Sequence, residues 1–184
     1  MPAKVNGLGH IGFYVHDLEL MKDFYANFIG MTLTKVSAGG AFFSADPEAC
    51  DHEIAMMAGR TSLDDPHWIQ QISMRVDSLD DLRDFKRRID ERGYKIDRIV
   101  THASAIGCYF RDPENNPIEV FWMTGHTSWA QISIPIDIEQ SDEAVMTEVG
   151  RAYDISRHVE LGKPATPETA DAIRALREET LATR

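Results

Sequence analysis

Apolar and other residues alternate from His10 to Val15: Ile11, Phe13 and Val15 fall on one side of an extended chain, His10, Gly12 and Tyr14 on the other. The pattern returns 61 residues later, where His10-Ile-Gly-Phe-Tyr-Val15 is matched by Gln71-Ile-Ser-Met-Arg-Val76. Each stretch predicts a strand with one apolar face and one face that holds a polar group. Past each strand the apolar spacing lengthens to that of a helix: Leu18, Met21, Phe24, Tyr25 and Phe28 in the first copy, Leu79, Leu82, Phe85 and Ile89 in the second. Asp17 and Ser78 are suited to cap these helices, and Gly30 and Gly93 to end them. Further on, the matching offset becomes 66: Asp46-Pro47 meets Asp112-Pro113, Glu53 meets Glu119, and Ile54 to Met57 corresponds to Val120 to Met123 as strands. The change of offset predicts a loop five residues longer in the second copy.

Residues of about 7–59 and 68–125 therefore predict two copies of one unit, a strand, a helix and then further strands, each sheet burying one face under its helix. The class is α+β, and two such sheets facing each other would make a half-open cup. His10, Glu53, Gln71 and Glu119, which open and close the copies, would then point inward together. Residues 1–125 form the repeated domain and 126–184 a helical extension, with one helix starting at Ser141 and another at Thr166-Pro167-Glu168, separated by Gly162-Lys-Pro-Ala. The extension is expected to pack on the cup or on a neighbouring subunit.

Composition narrows the partners. The 184 residues are 43% hydrophobic and 27% charged, as expected of a globular chain. Lys and Arg number 19 against 30 Asp and Glu, a formal net charge of -11, and no stretch is basic enough to neutralise a phosphate backbone, so neither nucleic acid nor an anionic membrane is an expected partner. No apolar run approaches the eighteen or so residues of a membrane span and Met1 to Gly9 lacks an apolar leader, which makes the cytoplasm the expected location. Cys50 and Cys108 are expected as reduced thiols.

Convergent His, Glu and Gln on inner strands form a metal-site pattern, because imidazole and carboxylate ligands on a divalent ion leave coordination positions open for substrate. Glu119 is the strongest candidate: within Pro117-Ile-Glu-Val-Phe-Trp122 its carboxylate would be costly to bury without a cation or a donor. Gln71 is a weaker ligand type, an amide that more often hydrogen-bonds across a sheet. His52 and Glu53 are adjacent, so only one of them faces the cup in a regular strand, and the repeat favours Glu53. His102 falls in a loop-like Thr-His-Ala-Ser stretch, Tyr109 offers an inner hydroxyl, and Cys108 reads as a small buried residue. Trp68, Phe121, Trp122 and Trp129 would suit an aromatic cup lining, and the stretches 66–68 and 103–107 and the tail would set substrate choice.

Leu8-Gly-His-Ile-Gly-Phe-Tyr-Val-His-Asp-Leu18, with Phe24-Tyr25 and Gly30, and Tyr109-Phe-Arg-Asp-Pro-Glu-Asn-Asn-Pro-Ile-Glu-Val-Phe121 resemble the vicinal oxygen chelate superfamily over residues 7–125. That superfamily includes glyoxalase I, type I extradiol dioxygenases, fosfomycin and bleomycin resistance proteins and methylmalonyl-CoA epimerase. The resemblance implies two paired βαβββ modules in a half-open eight-stranded cup, and a homodimer. It is nearest to the extradiol dioxygenases, whose His, His and Glu iron ligands match His10, Gln71 and Glu119, with Gln71 a departure from the pattern. Their acid-base His matches His52, and the His and Tyr that contact bound catechol match His102 and Tyr109. This implies Fe(II), with Mn(II), Zn(II) or Ni(II) as alternatives, and oxygen-dependent cleavage of a small catecholic substrate. A glyoxalase- or epimerase-like reading would use His10, Glu53, Gln71 and Glu119 as ligands for isomerisation of a vicinal-oxygen substrate. A third reading is a metal-free binding protein of the resistance type.

Overall fold

The structure, a computed structural model, describes residues 2–62, 69–111 and 117–183. The first module runs β1 (Gly7–Val15), α1 (Leu18–Asp23) prolonged by a π-helical turn over Phe24–Ile29, β2 (Thr32–Ser37), β3 (Gly40–Ser44) and β4 (Ile54–Ala58). The second runs β5 (Ile69–Val76), α2 (Leu79–Glu91), β6 (Ile96–Thr101), β7 (Ala105–Arg111) and β8 (Pro117–Met123). The tail adds β9 (Ile134–Pro135), α3 (Asp142–Ser156) and α4 (Pro167–Ala182).

The two copies are equivalent in pairing. β1 lies parallel to β4, and β5 lies parallel to β8, so the matched segments take equivalent places. The modules do not face each other as separate sheets, however. β1 pairs antiparallel with β5, giving one mixed sheet of order β2-β3-β4-β1-β5-β8-β7-β6-β9. Pairing these two first strands removes two open edges that separate sheets would expose. Among the described residues the sheet has nine strands rather than eight, because Ile134 and Pro135 of the tail pair with Thr101 and Val100 of β6.

Side chains alternate between the two faces as the period of two demands. On the convex face, Phe13, Val15, Ala41, Phe43, Ile54 and Met56 pack under Leu18, Met21 and Tyr25 of the first helix. Asp17 caps that helix at Leu20 N, and Gly30, at φ +85°, ends it by donating to Tyr25 O. Phe24 and Phe28 have side chains outside the described residues, as do Asp112 and Pro113 of the matched motif and Trp68 and Pro66. In the second module Val76, Ile106, Cys108 and Val120 meet Leu79, Leu82 and Ile89 of α2, which Ser78 caps by accepting from Asp81 N.

The tail completes this second core. Ile136, Ile138, Val145 and Val149 join the same cluster, while Ala103, Ile132, Ile134, Ala152 and Leu176 form another that docks α3 and α4 beside the β6–β7 turn. Ser141 and Thr166 cap α3 and α4, with Pro167 in the first turn of α4. Both cysteines are free thiols, and burial pushes Cys108 up to about 12. Among the described residues no helix is long and apolar enough to cross a membrane.

Candidate functional site

The concave face carries the polar residues. The register sets His10 opposite Ser73, and Ser73 opposite Glu119, so a row of three runs across β1, β5 and β8 with Gln71 two residues along the middle strand. All four side chains are buried. Gln71 Nε2 lies 2.9 Å from His10 Nε2 and donates to Glu119 Oε2 at 2.9 Å, and Ser73 Oγ donates to the same carboxylate oxygen at 2.5 Å. Ser73 Oγ is also 2.8 Å from His10 Nε2. Burial, then the neighbouring His52 and His102, hold the His10 imidazole down at about 2, so it is neutral at physiological pH. Its 3.6 Å approach to Glu119 is therefore not an ion pair.

The three atoms of His10, Gln71 and Glu119 make a triangle with edges of 2.9, 2.9 and 3.6 Å. Three adjacent ligands each roughly 2.1 Å from one divalent ion stand about 3 Å apart, so the triangle has the size of one face of a coordination octahedron. His10 offers it a neutral imidazole and Glu119 a carboxylate oxygen. Gln71 offers its amide nitrogen, drawn there by the carboxylate, and a half-turn of the amide would place its oxygen at the same corner. With that turn the donor set fits a divalent ion. No group of three or more His, Cys, Asp or Glu side chains is placed to hold one among the described residues, because glutamine stands where a second imidazole is expected.

Next to His10, the His52 ring lies with its centroid 4.3 Å away. Asp51 Oδ2 accepts from His52 Nδ1 at 3.2 Å and from the buried Lys35 Nζ at 2.7 Å. This bond fixes the proton on Nδ1 and leaves Nε2 as an acceptor. Burial raises the Asp51 carboxyl, but the Lys35 ammonium and His52 outweigh it and hold Asp51 well below the usual carboxylate range. Asp51 Oδ1 is buried with no hydrogen-bond partner among the described residues.

A second imidazole stands across the cavity. His102 Nδ1 donates to Ile132 O at 2.6 Å, so its Nε2 is the acceptor for the Tyr109 hydroxyl at 2.8 Å. Ala103, at φ +64°, turns the chain immediately after His102, an uncommon conformation for a residue with a Cβ. Burial lowers His102 and keeps it neutral. Burial and then Glu119 push Tyr109 well above its ordinary value, so the phenol keeps its proton. The Arg98 guanidinium lies 3.9 Å over the centre of the Tyr109 ring.

His10, His52, Gln71, His102, Tyr109 and Glu119 thus line one cavity of about 490 Å³. Glu53 does not join them. β4 begins only at Ile54, and Glu53 turns out to accept from Ala45 N at 2.7 Å, so His52 and not Glu53 faces the cup. Phe121 lines the cavity, but Trp122 packs on the convex core and Trp129 is not part of the lining. Sequence reasoning also missed Ser73, Asp51, Lys35 and Arg98. The repeat held a signal for Ser73, since it matches Gly12, a second small residue two positions past the candidate ligand. Lys35 and Asp51 are brought together only by the β2–β3–β4 meander.

A family model described as the glyoxalase/bleomycin resistance protein/dioxygenase superfamily matches residues 7–120. No curated protein sequence matches the chain. Among solved structures, the Mn(II)-bound glyoxalase from Novosphingobium aromaticivorans is 22% identical, with a TM-score of 0.57 over 65% of this chain and 40% of its own. The anaerobic 3,4-dihydroxyphenylacetate complex of homoprotocatechuate 2,3-dioxygenase from Brevibacterium fuscum is 19% identical, with a TM-score of 0.58 over 68% of this chain and 39% of its own. The chain spans less than half the length of either, and at these identities the likeness is one of fold.

Proposed function

The chain belongs to the glyoxalase/bleomycin resistance protein/dioxygenase superfamily, and from that premise we propose that it is a metal-dependent dioxygenase of the extradiol type, cleaving the ring of a small catecholic substrate. One observation carries the reading: two separate proton-handling devices, Asp51–His52 and His102–Tyr109, flank the His10, Gln71 and Glu119 triangle in a single cavity sized for a small aromatic molecule. A divalent ion held by His10, Glu119 and Gln71 would supply Lewis acidity toward two adjacent substrate oxygens and, as iron or manganese, chemistry with O2.

The chain's own residues do the rest. His52, with its Nδ1 proton held by Asp51, takes a proton at Nε2 from a substrate hydroxyl and returns it later. Tyr109 stays protonated and spends its hydrogen on His102, so its oxygen accepts from the second substrate hydroxyl and orients the ring. The isomerase alternative would use Glu53 or Glu119 as the base at carbon. Glu53 has turned away and Glu119 is engaged by Ser73 and Gln71, which disfavours that chemistry.

Metal analysis of protein purified anaerobically, beside Glu119→Ala, tests the proposal. Stoichiometric iron or manganese that the variant loses, with O2 uptake and a ring-opened product from catechols, is the expected result. Zinc or nickel without O2 uptake, or no metal after reconstitution, would refute it.

A further inference from the structure

The cavity is positive inside an acidic protein. Among the described residues, Lys35, Arg75, Arg98 and Arg177 line it against two carboxylates, Asp51 and Glu119, in a chain of formal net charge -11. Those two carboxylates are committed, Asp51 to Lys35 and His52, Glu119 to Ser73 and Gln71. Arg98 and Arg177 have no carboxylate within ion-pair distance among the described residues, although most other arginines of the protein do. Both are solvent-exposed, and with Ser133 they line the cavity as well as a smaller cleft next to it, which places all three at the junction of the two.

Their positions are built rather than incidental. Arg98 is laid flat on the Tyr109 ring. Arg177 follows Leu176, the one buried residue of α4, and the helix is pinned to α3 by Arg151 and Glu179 at 2.8 Å. Ser133 immediately precedes β9, which is tied to β6 two residues beyond Arg98. Two of the three residues thus come from the tail, beyond the segment that the family model covers.

We propose that Arg98 and Arg177, with Ser133, form a subsite for a carboxylate carried by the substrate, so that the tail helix selects anionic aromatic substrates over neutral ones. The inference deepens the proposed function and rests on it for the aromatic diol, but not for the anion. A guanidinium matches a carboxylate with two parallel hydrogen bonds, and uncommitted cations at the rim of a cavity draw anions into it. The diol end of the molecule would lie against Tyr109 and Glu119, with the carboxylate at the rim.

Calorimetric binding of four probes tests this: 3,4-dihydroxyphenylpropionate, its neutral amide, phenylpropionate, which lacks the diol, and phenyl phosphate. Wild type is expected to prefer the dihydroxy acid over its amide by about tenfold or more, the scale of one charge-assisted hydrogen bond. Arg177→Gln and Arg98→Gln should each cut that ratio severalfold, the pair should bring it near one, and added salt should shrink it in wild type. Arg177→Gln alters an exposed side chain outside the core, so a folding defect does not stand in for the effect. Phenylpropionate that binds wild type and is lost in the double variant supports the subsite even where catechols fail to bind, which would sink only the dioxygenase reading. Catechol binding with no preference for the acid, variants that weaken acid and amide equally, tighter binding of phenyl phosphate than of phenylpropionate, or no binding of any acid would each overturn the carboxylate subsite.

Discussion

Gly107→Ala probes how rigidly Glu119 is held. Gly107 lies on β7 opposite Phe121, with no left-handed backbone angle that would exclude alanine. A Cβ at this position would stand 2.4 Å from Glu119 Oε1, 3.3 Å from Glu119 Cδ and 2.9 Å from Tyr109 Cε2. Ordinary contact requires the carboxylate to retreat by about 1 Å. The other oxygen of that carboxylate is anchored by Ser73 at 2.5 Å and Gln71 at 2.9 Å, and the Tyr109 ring is pinned by His102 and Arg98. Retreat must therefore strain a hydrogen bond to a buried charge or push a packed ring, and overpacking of this kind costs about 1–3 kcal/mol. Guanidinium denaturation should show that loss, and divalent-metal titration should show affinity reduced at least tenfold, because Glu119 leaves its corner of the triangle. Wild-type stability together with wild-type metal affinity would mean that the carboxylate moves freely, and the reasoning about a preset triangle would be wrong.

Acid should destabilise the protein from an unusually high pH. Unfolded His10 takes up a proton near pH 6.5 while the folded residue, held at about 2, refuses it, so stability falls as pH drops below 6.5, by about 1 kcal/mol between pH 6.5 and 5.5 from this residue alone; denaturation midpoints that stay level over that range would contradict it. Lys35→Met leaves the Asp51 carboxylate buried without its cation and should cost about 3–5 kcal/mol by chemical denaturation, part of it restored by adding Asp51→Leu; a loss below 1 kcal/mol would show that water, not Lys35, stabilises Asp51. Gly150→Ala in the middle of α3 meets nothing within 4 Å and should stabilise by about 0.5–1 kcal/mol, read as a raised midpoint, and a lowered one would disprove the space assigned there.

The two equivalent units were legible because both copies repeat the same alternation and the same caps at offsets of 61 and 66, and the structure gives them equivalent parallel pairs, β1–β4 and β5–β8. The β1–β5 seam was not, since residue pattern within a strand does not say which neighbour satisfies its edge. Strand phase aimed His10, Gln71, Tyr109 and Glu119 at the cavity correctly, yet it placed Glu53 there too. The phase fails at Glu53 because that residue ends a loop and spends its carboxylate on a backbone N–H before the strand begins. Arg98 and Arg177 are 79 positions apart on an arc of sheet and a docked helix, and no local spacing announces that they share a cavity.

The failure at Glu53 has its physical origin in the asymmetry of the duplicated site. A strict pseudo-twofold arrangement would bring His10, Gln71, Glu53 and Glu119 to one axis, with two carboxylates competing in a buried space, a configuration that raises the cost of keeping both charged. The structure avoids it by turning one of them out. The loop before β4 sends Glu53 to Ala45 N and admits His52 in its place, with the charge of Asp51 taken up by Lys35 instead of by a neighbour in the triangle. On the other half the equivalent position keeps its carboxylate, because β8 starts at Pro117, two residues before Glu119, and carries it inward. One half of the duplication consequently supplies the His52 imidazole and the other the anionic corner of the triangle. Gln71 bridges the two halves: its amide nitrogen lies 2.9 Å from His10 Nε2 and donates to Glu119 Oε2, so the amide sets the spacing between the neutral imidazole and the charged carboxylate.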